Sequence, residues 1–309
     1  MNPKIVVTAN AFSKNEVLVN QLKKFTDNIV LNTTGRYTKD ELISNLKDAD
    51  GAIVGLDKID KSVLQECKNL KIVAKYGVGL DNINVADCKD SNIAVGWTGG
   101  VNKTSVAEMT LGYMLMLIRN LYVTSNKLKD GIWNKSGGFQ LSGKTVGIIG
   151  VGHIGKEVIR LLEPFRCKIL VNDIIDQTEY YKKNNLIEVS KEQIFQESDI
   201  ITIHTPFTED TENLVTLDKL KEMKNSAYII NTARGGIINE NDLKVAIKDG
   251  IIAGAAIDAY VTEPPADKEF IALANLISTP HIGGNAKEAV EAMGFSAIKH
   301  LEIFFKDNQ

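Results

Sequence analysis

Lys144-Thr-Val-Gly-Ile-Ile-Gly-Val-Gly-His-Ile-Gly-Lys156 decides the architecture, because an apolar run, a glycine turn and the start of a helix follow one another there without a gap. The run reads as a buried strand and the helix as beginning near Ile154. Gly150 permits a tight turn, Gly152 lets backbone approach a ligand with no Cβ in the way, and Gly155 lets the new helix lie close against the strand. The first turn, with His153 and Ile154, presents unpaired N–H groups and the positive end of the helix dipole, which together favour a pyrophosphate. Three glycines at this spacing also occur in ordinary turns, so the context has to carry the inference. A second apolar strand, Cys167-Lys-Ile-Leu-Val-Asn-Asp173, ends in a carboxylate 23 residues after Gly150, the spacing of an acid that hydrogen-bonds an adenosine ribose. Asp173 therefore predicts NAD. NADP would set its 2′-phosphate against that carboxylate, and Ile174, Ile175 and Asp176 supply no base to neutralise it.

Outward from this stretch, short apolar strands alternate with helical segments in both directions. Before it come strands at Ile5–Thr8, Ile29–Asn32, Ala52–Gly55, Ile72–Lys75 and Ile93–Gly96, with helices at Lys14–Thr26, Lys39–Lys47 and Lys61–Lys68. After it come strands at Lys168–Val171, Ile200–His204, Tyr228–Asn231, Ala253–Ile257 and Leu276–Ser278. The fold class is α/β, with two doubly wound parallel sheets. A helix from Ser105 to Leu121 is apolar on nearly every side, which predicts burial between domains or subunits. A final helix, Ala286–Phe305, is expected to return to the first domain. The boundaries expected are 1–100 with 285–309 for one domain and 101–284 for the other.

The 309 residues suffice for two such domains, and a net charge of −3 gives no basic field for nucleic acid or an anionic membrane. Cys67, Cys88 and Cys167 are few, odd in number and without paired spacing, so they read as reduced packing residues, and no metal site is expected. The chain enters its first strand at once, leaving no room for a signal peptide, and its longest apolar stretch is too short to span a bilayer. A cytoplasmic location is expected.

Three polar residues follow strands of the second unit: Arg234, Glu263 and His281. In an open parallel sheet that edge is where ligands bind. Hydride transfer between a nicotinamide and a 2-hydroxy acid needs a cation for the carboxylate and carbonyl oxygen, an acid/base for the hydroxyl proton, and a group that orients the acid/base. A guanidinium, an imidazole and a carboxylate meet those needs. Singly, each has a plainer reading: a surface ion pair, a turn before Pro264-Pro265, a strand-end cap. Together with the glycine turn, and with His281 preceding Gly283-Gly284, they read as one site.

Gly150-Val-Gly-His-Ile-Gly155, Asn231-Thr-Ala-Arg-Gly-Gly236, Asp258 through Glu263-Pro-Pro265 and Pro280-His-Ile-Gly-Gly284, in that order, resemble the D-2-hydroxyacid dehydrogenase family over essentially the whole chain. The resemblance implies a Rossmann NAD domain inserted into a flavodoxin-like substrate domain, with the active site in the cleft between them. It implies Arg234 as the substrate-orienting arginine, His281 as proton donor and acceptor, and Glu263 as its partner. Asp258 would bind the nicotinamide carboxamide, Thr205-Pro206 and Thr232-Ala233 would line the cofactor, and Thr104 would touch its phosphate. Lys75-Tyr-Gly-Val-Gly-Leu-Asp-Asn82 resembles the substrate loop, whose N–H groups at Val78 and Gly79 would hold the carboxylate. Relatives are typically dimers, and the Ser105–Leu121 helix is the interface this implies.

Lys58 and Lys75 stand where similar phosphoglycerate dehydrogenases carry basic residues, so 3-phosphoglycerate is the substrate expected, although both lysines also read as solvated surface charges. Lysine at 75 departs from the arginine of several relatives and keeps hydroxypyruvate, glyoxylate and branched 2-keto acids open. A regulatory module like that of longer phosphoglycerate dehydrogenases is not expected. A carboxylate at 263, where formate dehydrogenases carry an amide, argues against formate. From another class, an NAD-sensing transcriptional corepressor shares this fold and can retain the same three residues. The expected partner is a small 2-hydroxy or 2-keto acid, with neither nucleic acid nor membrane.

Overall fold

The computed structural model describes residues 2–307. It divides into two compact units, one made of both chain ends, up to Asn102 and from Lys287, and the other of Lys103–Ala286. In the first unit, strands β1 (Ile5–Val7), β2 (Ile29–Leu31), β3 (Gly51–Val54), β4 (Ile72–Lys75) and β5 (Ala94–Gly96) form a parallel sheet in the order β2-β1-β3-β4-β5. Every residue of β1, β3 and β4 is buried, as a sheet covered on both faces requires. Each fully buried Ile or Leu in such a layer contributes about 1.5–3 kcal/mol. The helix Lys287–Asp307 packs on β4 and on the helix Glu16–Lys23, where Gly294 leaves the space that the Leu18 side chain fills.

The second unit has a seven-stranded parallel sheet. Its strands are β6 (Thr145–Ile149), β7 (Lys168–Asn172), β8 (Ile187–Glu188), β9 (Ile200–Ile203), β10 (Tyr228–Asn231), β11 (Gly254–Ile257) and β12 (Leu276–Ser278), ordered β12-β11-β10-β9-β6-β7-β8. The order reverses between β6 and β9, which is the switch point where such sheets take ligands. The two-residue edge strand β8 was not anticipated: Ile187 and Glu188 are both exposed, and so short a pairing leaves no alternation to read.

The long apolar helix corrects its expected bounds and surroundings. It spans Lys103–Ile118, Asn120 turns left-handed at φ 52°, and a separate helix, Leu121–Lys129, follows. Val106, Ala107, Thr110, Tyr113, Met114, Leu117 and Ile118 are buried. The helix packs against the helix His153–Leu162 and against β10 and β11, so the second unit itself accounts for that burial. No helix among the described residues is long and apolar enough to cross a membrane.

Candidate active site

Gly150 follows β6 at φ +94°, a conformation that a side chain would strain, and a Cβ there would meet the His204 carbonyl at 2.7 Å. Gly155 is buried, and a Cβ on it would collide with the Gly150 carbonyl oxygen. Gly152 differs: it is exposed, caps the helix His153–Leu162, and has no heavy atom within 4 Å of where a Cβ would stand. The protein thus uses the space at 150 and 155 for its own packing and leaves the space at 152 open beside a helix N-terminus, which fits a pyrophosphate. Two buried polar atoms next to this turn, Thr205 Oγ1 and His204 Nδ1, have no hydrogen-bond partner among the described residues. Burial pushes the His204 imidazole down to about 3, so it is neutral at ordinary pH.

Asp173 stands half-buried just beyond β7. Its Oδ2 accepts from Val151 N at 2.6 Å and its Oδ1 from Ile175 N at 2.9 Å, so the carboxylate braces the glycine turn as well as ending the strand.

Across the sheet, Asn231, Ile257 and Ser278 lie in register at the carboxyl ends of β10, β11 and β12. Arg234, Asp258, Glu263 and His281 follow them, so all four leave the same edge. Buried Asn231 shapes the Arg234 turn, accepting from Ala233 N at 3.0 Å and donating to Arg234 O at 2.8 Å. The backbone of Tyr260 and Val261 lies directly against Gly235, where no side chain fits, which joins the Arg234 turn to the segment carrying Glu263. The Arg234 guanidinium donates to Ala233 O at 2.8 Å.

His281 Nδ1 lies 2.8 Å and 3.0 Å from the two carboxylate oxygens of Glu263, which also accepts from Tyr260 N at 3.1 Å. An ionised carboxylate only accepts, so Nδ1 carries a proton and Nε2 is left to accept or donate one. The backbone at His281 has φ +53°, uncommon for a residue with a side chain and costing about 1–2 kcal/mol. Asp258 holds it there. This carboxylate, 1% exposed, accepts from the Thr279 hydroxyl, from Ile282 N at 2.9 Å and from Gly283 N at 2.8 Å. Tyr113 donates in turn to Thr279, and Ser105 donates to Gly283 O at 2.6 Å, so the buried helix grips the His281 turn from beneath.

The other expected ligands also make contacts within the protein. Asp258 spends three acceptor positions on the His281 turn. Gly283 packs closely on the protein, where a Cβ would meet the Met109 methyl at 2.9 Å and Asp258 Oδ2 at 3.0 Å. Thr232 is buried, with its hydroxyl 3.2 Å from that of Thr110, whereas Ala233 and Pro206 remain in the turns after β10 and β9. Thr104 is exposed on the first helical turn, and Gly284 is half-buried. Asn231, Ser105, Tyr113 and Thr279 were not singled out from sequence; only the Asn-Thr-Ala-Arg run offered a signal, because Asn is suited to bonding its own following turn.

In the first unit, Lys75 is 5% exposed and its ammonium donates to Gly55 O at 2.6 Å and Asn82 Oδ1 at 2.5 Å. Asn82 donates to Gly55 O at 3.1 Å and Asp57 O at 2.6 Å. The lysine is therefore no solvated charge; it ties the loop after β4 to the loop after β3. Lys58 is exposed and paired with Asp60 at 3.1 Å. Val78 and Gly79 lie half-buried in the loop after β4, and the Trp97 indole N–H donates to Val78 O at 2.8 Å.

The chain is similar to known dehydrogenases and reductases. The model of the D-isomer specific 2-hydroxyacid dehydrogenase NAD binding domain matches residues 111–283. A hydroxypyruvate reductase of Thermotoga maritima is 36% identical over 89% of this chain and 90% of its own. A D-3-phosphoglycerate dehydrogenase of Methanocaldococcus jannaschii is also 36% identical, over 83% of this chain, which spans 50% of that relative's length. Among solved structures, the NAD+-bound 3-phosphoglycerate dehydrogenase of Entamoeba histolytica superposes with a TM-score of 0.81 at 29% identity, over 100% of this chain and 97% of that one.

Proposed function

The chain belongs to the D-isomer specific 2-hydroxyacid dehydrogenase family and carries its NAD-binding domain, and from that premise we propose that it interconverts a small, unphosphorylated 2-keto acid, hydroxypyruvate or glyoxylate, with its D-2-hydroxy acid. The hydrogen-bonded pair of His281 and Glu263 at the carboxyl edge of the NAD domain carries this reading. NAD, when bound, supplies the hydride acceptor or donor. Gly152 and the N–H groups of His153 and Ile154 would hold its pyrophosphate, and Asp173 its ribose. Arg234 would pair with the substrate carboxylate and polarise the carbonyl. His281 Nε2 would give its proton to the oxygen of the keto acid, or take it from the hydroxy acid, while Glu263 stabilises the imidazolium and holds Nδ1 protonated. The N–H groups of Val78 and Gly79 would add donors to the carboxylate.

Substrate size follows from Lys75. With its ammonium bonded inside the protein it is poorly placed to neutralise a phosphate, which favours the shorter acids, those named for two relatives, a hydroxypyruvate reductase and a glyoxylate reductase. A second reading, 3-phosphoglycerate, rests on the exposed Lys58 ammonium and on Arg36, whose guanidinium donates to Leu56 O at 3.3 Å beside the same loop. A homodimer is part of the proposal, with half-buried Leu111, Leu115 and Met116 on the long helix as the face offered to a second copy. So is a cytoplasmic setting, where the free Cys67, Cys88 and Cys167 stay reduced.

NADH oxidation with hydroxypyruvate, glyoxylate and 3-phosphohydroxypyruvate tests the reading. The largest kcat/KM is expected with one of the first two; a dominant phosphorylated substrate selects the second reading, and intact NADH binding without turnover of any keto acid selects a binding protein. His281→Ala should lower kcat about 10²- to 10⁴-fold with NADH affinity nearly unchanged. Collapse of NADH binding would show that the imidazole supports the site rather than moving protons.

A further inference from the structure

Trp97 follows β5, 41% exposed, with its indole N–H donated to Val78 O at 2.8 Å. The segment around it is anchored from behind. The Thr98 hydroxyl is 2.8 Å from His300 Nε2 on the helix Lys287–Asp307, and Gly96 packs against His300 where a Cβ would come within 2.5 Å of the His300 Cβ. The indole is thus carried by a segment anchored to the helix Lys287–Asp307, and it reaches the loop after β4.

We propose that Trp97 is a positioning residue for the substrate carboxylate, acting through the peptide group that joins Val78 to Gly79. That peptide is trans, since Glu263–Pro264 is the one cis bond among the described residues. In a planar trans peptide the carbonyl of one residue and the N–H of the next point in opposite directions. A bond that fixes the Val78 carbonyl toward the indole therefore fixes the Gly79 N–H on the other side of the loop. It also polarises that N–H, since a peptide whose oxygen accepts a hydrogen bond donates more strongly. Lys75 and Asn82 hold the two ends of the same loop. Trp97 supplies the constraint in its middle, where Gly77 at φ +139° leaves the backbone free to turn. The inference rests on the proposed role of the Gly79 N–H in holding a 2-keto acid.

Trp97→Phe keeps an aromatic ring and removes the donor. With hydroxypyruvate and NADH, the KM for hydroxypyruvate should rise about 5- to 10-fold, the effect of one hydrogen bond, with kcat and the KM for NADH within about 2-fold of the parent. An unchanged KM for hydroxypyruvate, or a parallel loss in all three parameters, overturns the proposal. A second measurement does not need turnover. Trp97 and Trp133 are the two tryptophans of the chain, so Trp133→Phe leaves Trp97 as the single indole emitter. Titrating hydroxypyruvate into that variant saturated with NAD+, where no hydride is available, should change the Trp97 emission along a saturable curve; a flat response overturns the proposal. If the parent enzyme turns over no keto acid, the proposed activity fails and the emission titration decides the role of Trp97. If the parent is active and Trp97→Phe matches it, only the Trp97 inference fails.

Discussion

Replacing Asp258 by Asn separates two roles that this carboxylate could serve. Its two oxygens accept from the Thr279 hydroxyl and Ile282 N on one side and from Gly283 N on the other, with the side chain 1% exposed. An amide has the same shape but a single accepting atom. The least costly orientation keeps the oxygen toward Thr279 and Ile282 and turns the NH₂ toward the buried N–H of Gly283. That strands one buried donor, costing about 1–3 kcal/mol, and converts two charge-assisted bonds into neutral ones of roughly half the strength. The sum is a loss of about 2–4 kcal/mol. Because the same bonds hold His281 at φ +53°, its ring should drift, and a displacement on the order of 1 Å lowers turnover about 10²-fold. Urea unfolding followed by circular dichroism, kcat with the best keto acid and NADH titration by fluorescence read the three consequences separately. Unfolding and kcat like those of the parent, with only NADH affinity reduced, would refute this reasoning and show that Asp258 serves the cofactor instead.

The two glycines of the turn should respond in opposite ways. Gly152→Ala, facing open space, should leave the unfolding midpoint within about 0.5 kcal/mol of the parent while weakening NADH at least about 10-fold; Gly155→Ala, facing the Gly150 carbonyl, should destabilise the chain by about 2 kcal/mol or more whether or not NADH is present. Asp173→Ala should narrow the preference for NADH over NADPH and cost about 1–2 kcal/mol of stability, because Val151 N and Ile175 N lose their acceptor; an unchanged preference would mean that the ribose is read elsewhere. His204, held down to about 3 by burial, binds a proton in the unfolded chain below its usual value near 6.5 but not in the folded one, so its contribution to stability is complete above that pH and is lost as pH falls toward 3. Between pH 6.5 and 4.5, His204→Gln should flatten the fall in stability by up to about 1.4 kcal/mol per pH unit, and parallel curves for the two proteins would contradict that account.

The alternation of short apolar strands with helices was legible as two parallel sheets because strands covered on both faces are apolar along most of their length, as β1, β3 and β11 are throughout. The NAD turn was legible for a related reason: its glycines, its helix start and the acid ending the next strand are local to one βαβ unit, so spacing along the chain stands in for distance in space. The chemistry of Arg234, Glu263 and His281 could be named from residue type and from their common position after strands. What holds them could not. Thr279 and Ile282 meet Asp258 across more than twenty residues, Ser105 meets Gly283 across 178, and Trp97 meets Val78 across a helix and a strand. Nor did sequence show that Lys75 is buried, since a lysine at the end of a strand looks the same whether its ammonium faces water or two carbonyl-type oxygens. Residue chemistry and local periodicity are properties of the chain, so they determined the fold class and the cofactor and named the candidates for the reacting groups. Burial and long-range hydrogen bonds exist only once the sheets are assembled, and they alone decided which polar groups remain available for a ligand and which are consumed in holding the others.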